Sequence, residues 1–299
     1  KGEIKDLRIH NTVKTQTEIQ NIIKYNTLNT LITIDSSSQP DFNGTINTYF
    51  SFDGVDDYFE IPTNIAPQLA NSPFTIEFWI KIPSDFDGQE YIYSQGAGDR
   101  LHGKCLNIYL YKYPSNHSTE AGNFAFGIQF YDGDTGFIIT ENISERWMHI
   151  ALIHHNESSY KRTCYVNGVK RAEQTSQSEY IQGSISAGGT FYSTSSSGEV
   201  YIGKLYDNTK YFGGELRNLR VYNDIKTQSE ITQAITDNGD GTFQPNLTDY
   251  STTLNDNLNL YIPLNKNDKN IYNNNINFKD NSSKNNEIIT YGKPIYSNH

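Results

Sequence analysis

The chain has 299 residues and a formal net charge of −10, with 24 Lys and Arg against 34 Asp and Glu. That balance excludes an extended phosphate-binding surface, which needs clustered cations, and no apolar run reaches the length of a membrane span. Twenty-two Tyr and 15 Phe beside a single Met favour strands, and the length admits one large or two ordinary domains.

In chain order, Lys1–Ile23 reads as a strand followed by a helix. Thr15 and Glu18 form a capping box, and Ile19, Ile22 and Ile23 share one face. Short strands then follow in series: Tyr49–Phe52, Tyr58–Ile61, Phe74–Ile82, Tyr91–Ser94, Cys105–Tyr111, Phe124–Tyr131, Phe137–Thr140, Trp147–His154, Arg162–Val169, Val200–Leu205 and Gly214–Tyr222. The segment FTIEFWIKI alternates strictly, which puts Phe74, Ile76, Phe78, Ile80 and Ile82 on one face. Asp87-Gly88, Asp132-Gly133, Asn167-Gly168 and Gly188-Gly189 mark turns. A second capping box, Thr227 with Glu230, opens a helix after the last of these strands. Many short strands with no helix between them predict an all-β, two-sheet antiparallel sandwich.

The chain also repeats itself. Lys1–Ile23 aligns without a gap on Gly213–Ile235, at an offset of 212 residues, with matches such as Glu3/Glu215, Leu7/Leu219, Arg8/Arg220 and Lys14/Lys226. A domain-sized period implies tandem copies of one unit. The expected organisation is a closing strand and helix of a preceding repeat at 1–25, a complete domain at 26–237 and a linker at 238–256. Residues 257–299 would open a next or incomplete repeat, beginning with the strand LNLYIPL.

FSFDGVDDYFEIP (Phe50–Pro62), FTIEFWIKI, WMHIALIHH (Trp147–His155), CYVNGVK (Cys164–Lys170), VYIGK (Val200–Lys204) and FGGELRNLRVYNDIKTQSEI (Phe212–Ile231) occur in an order and spacing that resembles the laminin-G-like or pentraxin-like branch of the concanavalin A-like superfamily. The resemblance implies a jelly-roll sandwich with a short helix after its last strand. It further implies a mostly non-catalytic domain that binds glycans, proteins or lipids, often with calcium. The pentraxin-like calcium loops would match Gly96–Lys104 and Lys204–Gly213. Asp207 stands in the second loop, but Lys204 occupies a position where an acid is expected. Glu77 and Ala151 stand where pentraxins carry their disulfide. The two-carboxylate strand pattern of the related glycosidases is absent, since Glu77 is alone in its strand.

Read from the residues themselves, Asp53, Asp56 and Asp57 crowd one turn, as calcium ligands do and as solvated Asx turns also do. Asp132-Gly-Asp134 fits a hairpin better than a calcium loop. His149, His154 and His155 lie in or at the end of one strand, without a zinc-type partner. Trp79 and Trp147 read as packing residues. Tyr111, Tyr113, Tyr192, Tyr206 and Tyr211 are the loop aromatics expected to be exposed and to stack on a ligand. Cys105 and Cys164 fall in strands and admit two readings, a disulfide closing a long loop or two buried thiols.

The leading expectation is a non-catalytic recognition module, secreted or surface-exposed, that binds glycans weakly at each site and gains avidity from repetition. The partners would be glycans or surface glycoproteins and neighbouring copies of the same repeat, with neither nucleic acid nor a membrane span. The alternatives are a structural subunit of a virion fibre, coat or filament and, less favoured, a glycoside hydrolase.

Overall fold

The computed structural model describes residues 48–61, 66–67, 69, 72–96, 105–130, 135–157, 161–174, 199–246 and 257–262, together with the strands at 269–272, 275–279, 287–291 and 295–298. The chain divides into two compact units, Lys1–Thr45 and Ile46–His299. The first unit, with the N-terminal copy of the repeated segment and the helix expected there, lies outside the described residues.

The second unit is a sandwich of two large sheets, its strands numbered in chain order. One sheet runs β10 (Val169–Gln174), β9 (Arg162–Val166), β8 (Trp147–His154), β3 (Phe74–Lys81), β12 (Gly213–Tyr222), β1 (Thr48–Asp53) and β19 (Ile295–Asn298). An eighth strand, β15 (Leu258–Ile262), also pairs with β12. The other sheet runs β16 (Lys269–Tyr272), β17 (Asn275–Lys279), β18 (Glu287–Tyr291), β2 (Tyr58–Ile61), β11 (Val200–Ile202), β4 (Gly88–Gly96), β5 (Cys105–Lys112), β6 (Phe124–Gln129) and β7 (Thr135–Ile139). Neighbouring strands pair antiparallel, as the resemblance implied.

The core lies between the sheets. Phe74, Ile76, Phe78, Ile80 and Ile82 all enter it, as their alternation predicts. They meet Phe50, Phe52 and Phe59 from β1 and β2, and Leu106, Ile108, Phe126 and Ile128 from β5 and β6. Helix α1 (Gln228–Gln233) starts at Thr227 with the full capping box: the Thr227 side chain accepts from the Glu230 backbone N–H, and the Glu230 side chain accepts from that of Thr227. Its Ile231 packs on Ala151, Ile153 and Tyr165, on the outer face of the eight-stranded sheet.

Three parts of the architecture differ from the sequence reading. The expected strand Arg162–Val169 is a hairpin, β9 and β10, turning at Asn167-Gly168 with φ values of 50° and 76°. The expected linker contains β14 (Phe243–Pro245), which pairs with β13 (Ile235–Asp237). The segment that reads as the opening of a further unit supplies β15, β18 and β19, which pair with β12, β2 and β1 of this sandwich. Leu260 and Ile262 join its core.

The outer face of the eight-stranded sheet holds a buried ion pair. Glu77 Oε1 accepts from Arg220 Nη1 at 2.9 Å and from the Tyr222 hydroxyl at 3.1 Å. His149 Nε2 lies 3.4 Å from Glu77 Oε2. A bulge between Arg217 and Arg220, with Asn218 at φ 50°, lets Arg217 face Trp79 while Arg220 faces Glu77. Arg217 lies over the Trp147 ring at 4.0 Å. Burial pushes the Glu77 carboxyl up, but the His149 hydrogen bond and the Arg220 charge outweigh it and hold the group at about 2.

Removing one partner of such a pair strands the other charge, which costs about 3–5 kcal/mol. Glu77→Ala is therefore expected to lower the unfolding free energy by that amount in urea titrations at pH 7. Because the folded pKa is depressed, the stabilisation is present above the ordinary carboxyl range and fades as pH falls toward 2. The gap between parent and variant should narrow in acid.

Candidate functional site

Two regions bring polar and aromatic groups together. The first is the outer face of the nine-stranded sheet. Tyr201, Ser94, Asn107 and Gln129 stand side by side across β11, β4, β5 and β6. Ser94 Oγ donates to Asn107 Oδ1 at 2.8 Å, and Asn107 Nδ2 donates to Gln129 Oε1 at 3.1 Å. The Tyr91 hydroxyl donates to the same Gln129 oxygen at 3.2 Å and accepts from Gln89 Nε2 at 3.1 Å. A hydrogen-bonded chain of amides and hydroxyls thus crosses the sheet, which fixes its rotamers at little entropic cost on binding.

The loop from Lys204 to Phe212 folds over the middle of this face. Gly203 N–H donates to Ile92 O at 3.0 Å, and Tyr206 N–H donates to Ser94 Oγ at 3.2 Å. Leu205 and Tyr206 bury Tyr91, Tyr109 and Cys105, while half-buried Tyr111 and Tyr201 flank the cluster. Gly127 lies directly under the Tyr109 ring: a Cβ there would sit 2.0 Å from Cζ, so only glycine permits the ring to lie flat. On the Tyr201 side, Lys204 Nζ sits 3.7 Å from the Tyr58 ring and 4.2 Å from the Tyr201 ring, and bonds to Asn208 Oδ1. Burial pulls the Lys204 ammonium below its ordinary range, with Glu60, Asp207 and Glu199 acting in the opposite direction.

The second region is a cleft of about 510 Å³ at one end of the sandwich, lined by the β1–β2 turn, residues 83–87, Glu90, Glu145 and Gly213–Glu215. Among the described residues, Asp53, Asp85, Asp87, Glu90, Glu145 and Glu215 line the cleft with Lys81 as its one cation. Lys81 Nζ donates to Glu215 Oε1 at 3.3 Å. Glycine is required at the cleft floor, since Gly214 has φ 151° and a Cβ there would lie 2.9 Å from Lys81 O. Glu90 Oε2 accepts from Gly213 N–H at 2.8 Å. Burial pushes the Glu90 carboxyl up to about 7, against the pull of that hydrogen bond and of Lys210.

The residues singled out from sequence divide between these regions and elsewhere. Tyr111, Tyr206 and Tyr211 all belong to the sheet face, and Tyr211 lies 6.3 Å from Tyr58. Tyr206 and Tyr113 are buried rather than exposed, Tyr206 under its own loop and Tyr113 between Tyr111 at 4.9 Å and His117 at 4.8 Å. Tyr192 lies outside the described residues. The carboxylates of Asp53, Asp56 and Asp57 gather within 4.8 Å, beside the cleft. Turn hydrogen bonds already hold them: Asp53 Oδ1 accepts from the Val55 and Asp56 N–H groups, and Asp57 Oδ2 accepts from that of Asp53. Asp207 is not in this group, and its carboxylate accepts from Thr209 Oγ1. Cys105 and Cys164 are buried in opposite sheets, so the disulfide between them is not formed. Tyr58, Tyr201, Gln89 and Gln129 were missed. Their alternation with core residues along each strand is the signal that places them on the outer face.

A family model described as the concanavalin A-like lectin/glucanases superfamily matches residues 53–232. The chain is similar in fold to a Bacteroides ovatus protein provisionally assigned as carbohydrate-binding, with a TM-score of 0.54 and 17% identity; the match covers 88% of this chain and 66% of that one. A heptameric SAP-like pentraxin from Limulus polyphemus matches with a TM-score of 0.47 and 16% identity, over 62% of this chain and 81% of that one. Domain 4 of an extracellular GH43 arabinanase from Geobacillus stearothermophilus, solved with arabinotriose, matches with a TM-score of 0.40 and 18% identity, over 64% and 81% of the two chains. No curated protein sequence matches.

Glu90 gives the cleft a pH signature. A carboxyl whose folded pKa is raised favours the native state at low pH and disfavours it as pH climbs from about 4.5 to about 7. Glu90→Gln keeps the acceptor for Gly213 and removes the charge. Its stability advantage over the parent should grow by ~1–2 kcal/mol between pH 5 and pH 8, after solvent screening of this part-exposed group. Urea titrations at the two pH values measure it.

Proposed function

The chain belongs to the concanavalin A-like lectin/glucanase superfamily, and from that premise we propose that it is a non-catalytic, extracellular or surface-exposed module that binds neutral glycans. The binding surface is the outer face of the nine-stranded sheet. The observation that carries this reading is the pairing of half-buried Tyr111 and Tyr201 with the part-exposed amides of Gln89 and Gln129, which the buried Tyr91, Asn107 and Ser94 beneath the loop hold in place. Sugar rings offer an apolar face for stacking and a rim of hydroxyls for hydrogen bonding, and such a surface answers both. The assignment of the Bacteroides ovatus protein of similar fold as carbohydrate-binding supports the reading.

Neutral rather than acidic sugars fit the charge. Glu60 and Glu199 lie near Tyr201, and the ammonium of Lys204 beside it is already held between Tyr58 and Tyr201. The non-catalytic reading rests on Glu77. This carboxylate of the FTIEFWIK strand is committed to Arg220, His149 and Tyr222 on the other sheet and is 2% exposed. We further propose the Asp53–Asp57 turn as the place for a calcium ion, since Asp53 and Asp56 are exposed and their carboxylates already converge. Among the described residues no helix is long and apolar enough to cross a membrane.

A glycan array probed with the multivalently displayed chain, with calcium and with chelator, tests the reading. Binding to neutral oligosaccharides is expected, and Tyr111→Ala or Tyr201→Ala should weaken it at least about fivefold, the equivalent of roughly 1 kcal/mol, with the thermal midpoint little changed. A loss of binding in chelator that Asp53→Asn reproduces would assign the calcium. No binding in any condition would overturn the glycan reading. Release of reducing sugar that Glu90→Gln abolishes would replace it with a hydrolase.

A further inference from the structure

The strands that close one edge of the sandwich come from the C-terminal end of the described chain. Without β15, β18 and β19, β1 and β2 would be the edge strands of the two sheets, joined to each other by the turn at Asp53–Asp57. Open edges are templates for pairing with another chain. Here they are sealed by β19 on β1 and by β18 on β2.

The register shows how the segments connect in space. β12 is flanked on one side by two segments in line, β15 opposite Leu219–Tyr222 and β1 opposite Gly213–Leu216. Both run antiparallel to β12, so 258→262 followed by 50→53 traces one interrupted strand. A small cavity bordered by Phe50, Leu216, Leu219 and Ile262 marks the break. Thr48 and Asn298 are Cα partners at the ends of β1 and β19. The segment 258–298 therefore occupies the place of strands that would lead directly into residue 48, although in the chain it follows residue 246. Leu260 and Ile262 enter the core between the sheets, and Leu258 and Tyr261 pack with Tyr222.

We propose that the β1–β2 edge is a strand-exchange interface, and that its second occupant is residues 258–298 of another copy of this chain. The contacts are the same whether the segment comes from its own chain or from a neighbour, so the choice is set by effective concentration. For a segment of the same chain that value is of the order of mM. The repeated sequence adds a reason for exchange. Leu7-Arg8-Ile9-His10 matches the β15-binding stretch Leu219-Arg220-Val221-Tyr222, so acceptor sequences recur along the chain. Donation from copy to copy would string sandwiches together by main-chain hydrogen bonds, the mode of strand addition.

Glu60 and Ile289 are Cα partners between β2 and β18, and a cysteine at each position reports the pairing. Glu60→Cys and Ile289→Cys are made as two separate full-length variants, mixed in denaturant, refolded together at about 1 mM, the effective concentration of a segment of the same chain, and oxidised. Exchange is expected to give a covalent dimer of the two variants, at twice the monomer mass, that neither variant forms alone. A mixture that stays monomeric, while a chain carrying both cysteines bridges internally, would confine the segment to its own sandwich and overturn the proposal. No bridge in either preparation would overturn it as well, because β18 would then not pair with β2. Ser51→Cys with Ile295→Cys, partners between β1 and β19, repeats the test at a second position should the first pair disturb folding.

Discussion

The Glu77 carboxylate is buried where three central strands of one sheet meet, and its partners come from both neighbours: Arg220 and Tyr222 from β12 and His149 from β8. A buried ion pair adds little net stability compared with apolar packing, but breaking it is costly. Its consequence here is register. A slip of one residue along β3 would carry Glu77 into the apolar core and Phe78 out of it. The same strands end at Lys81 and begin at Gly213, so the register fixed at Glu77 also positions the cleft at the end of the sandwich.

The two sheets divide the work between them. The outer face of the eight-stranded sheet is closed by packing: α1 covers Ala151, Ile153 and Tyr165, and Arg217 stacks on Trp147. The nine-stranded sheet keeps half-buried Tyr58, Tyr111 and Tyr201 and the part-exposed amides of Gln89 and Gln129 on its outer face. The loop from Lys204 to Phe212 divides that surface and supports it, since its backbone bonds to Ile92 and Ser94 hold the rows below in place. The cleft is distinct in chemistry: among the described residues its lining carries six carboxylates and one lysine.

Local features of the fold were legible in the sequence, and features that depend on which strands become neighbours were not. The alternation of FTIEFWIKI and the capping box at Thr227 each sit within a few residues, and both are present as read. The Asp53–Asp57 cluster was visible for the same reason. The β10 strand was missed because VKRAEQ is a charged, exposed edge segment with no apolar alternation. Tyr206 and Tyr113 read as exposed loop rings, yet long-range packing buries them. The state of the two cysteines could be settled only by sheet membership, which no local pattern encodes. The cleft draws on five separate stretches of chain, and the bulge that brings Arg217 and Arg220 to one face leaves no mark beyond an asparagine at φ 50°.

Two-dimensional NMR of the isotope-labelled chain, titrated with the neutral oligosaccharide that the array binds best, tests directly whether ligand is held on the outer face of the nine-stranded sheet. Saturable shifts are expected at Tyr111, Gln129 and Tyr201, with Asp53, Asp85 and Glu90 unmoved. Shifts confined to Asp53, Asp85, Glu90 and Glu215 would contradict binding on that face and place it in the acidic cleft.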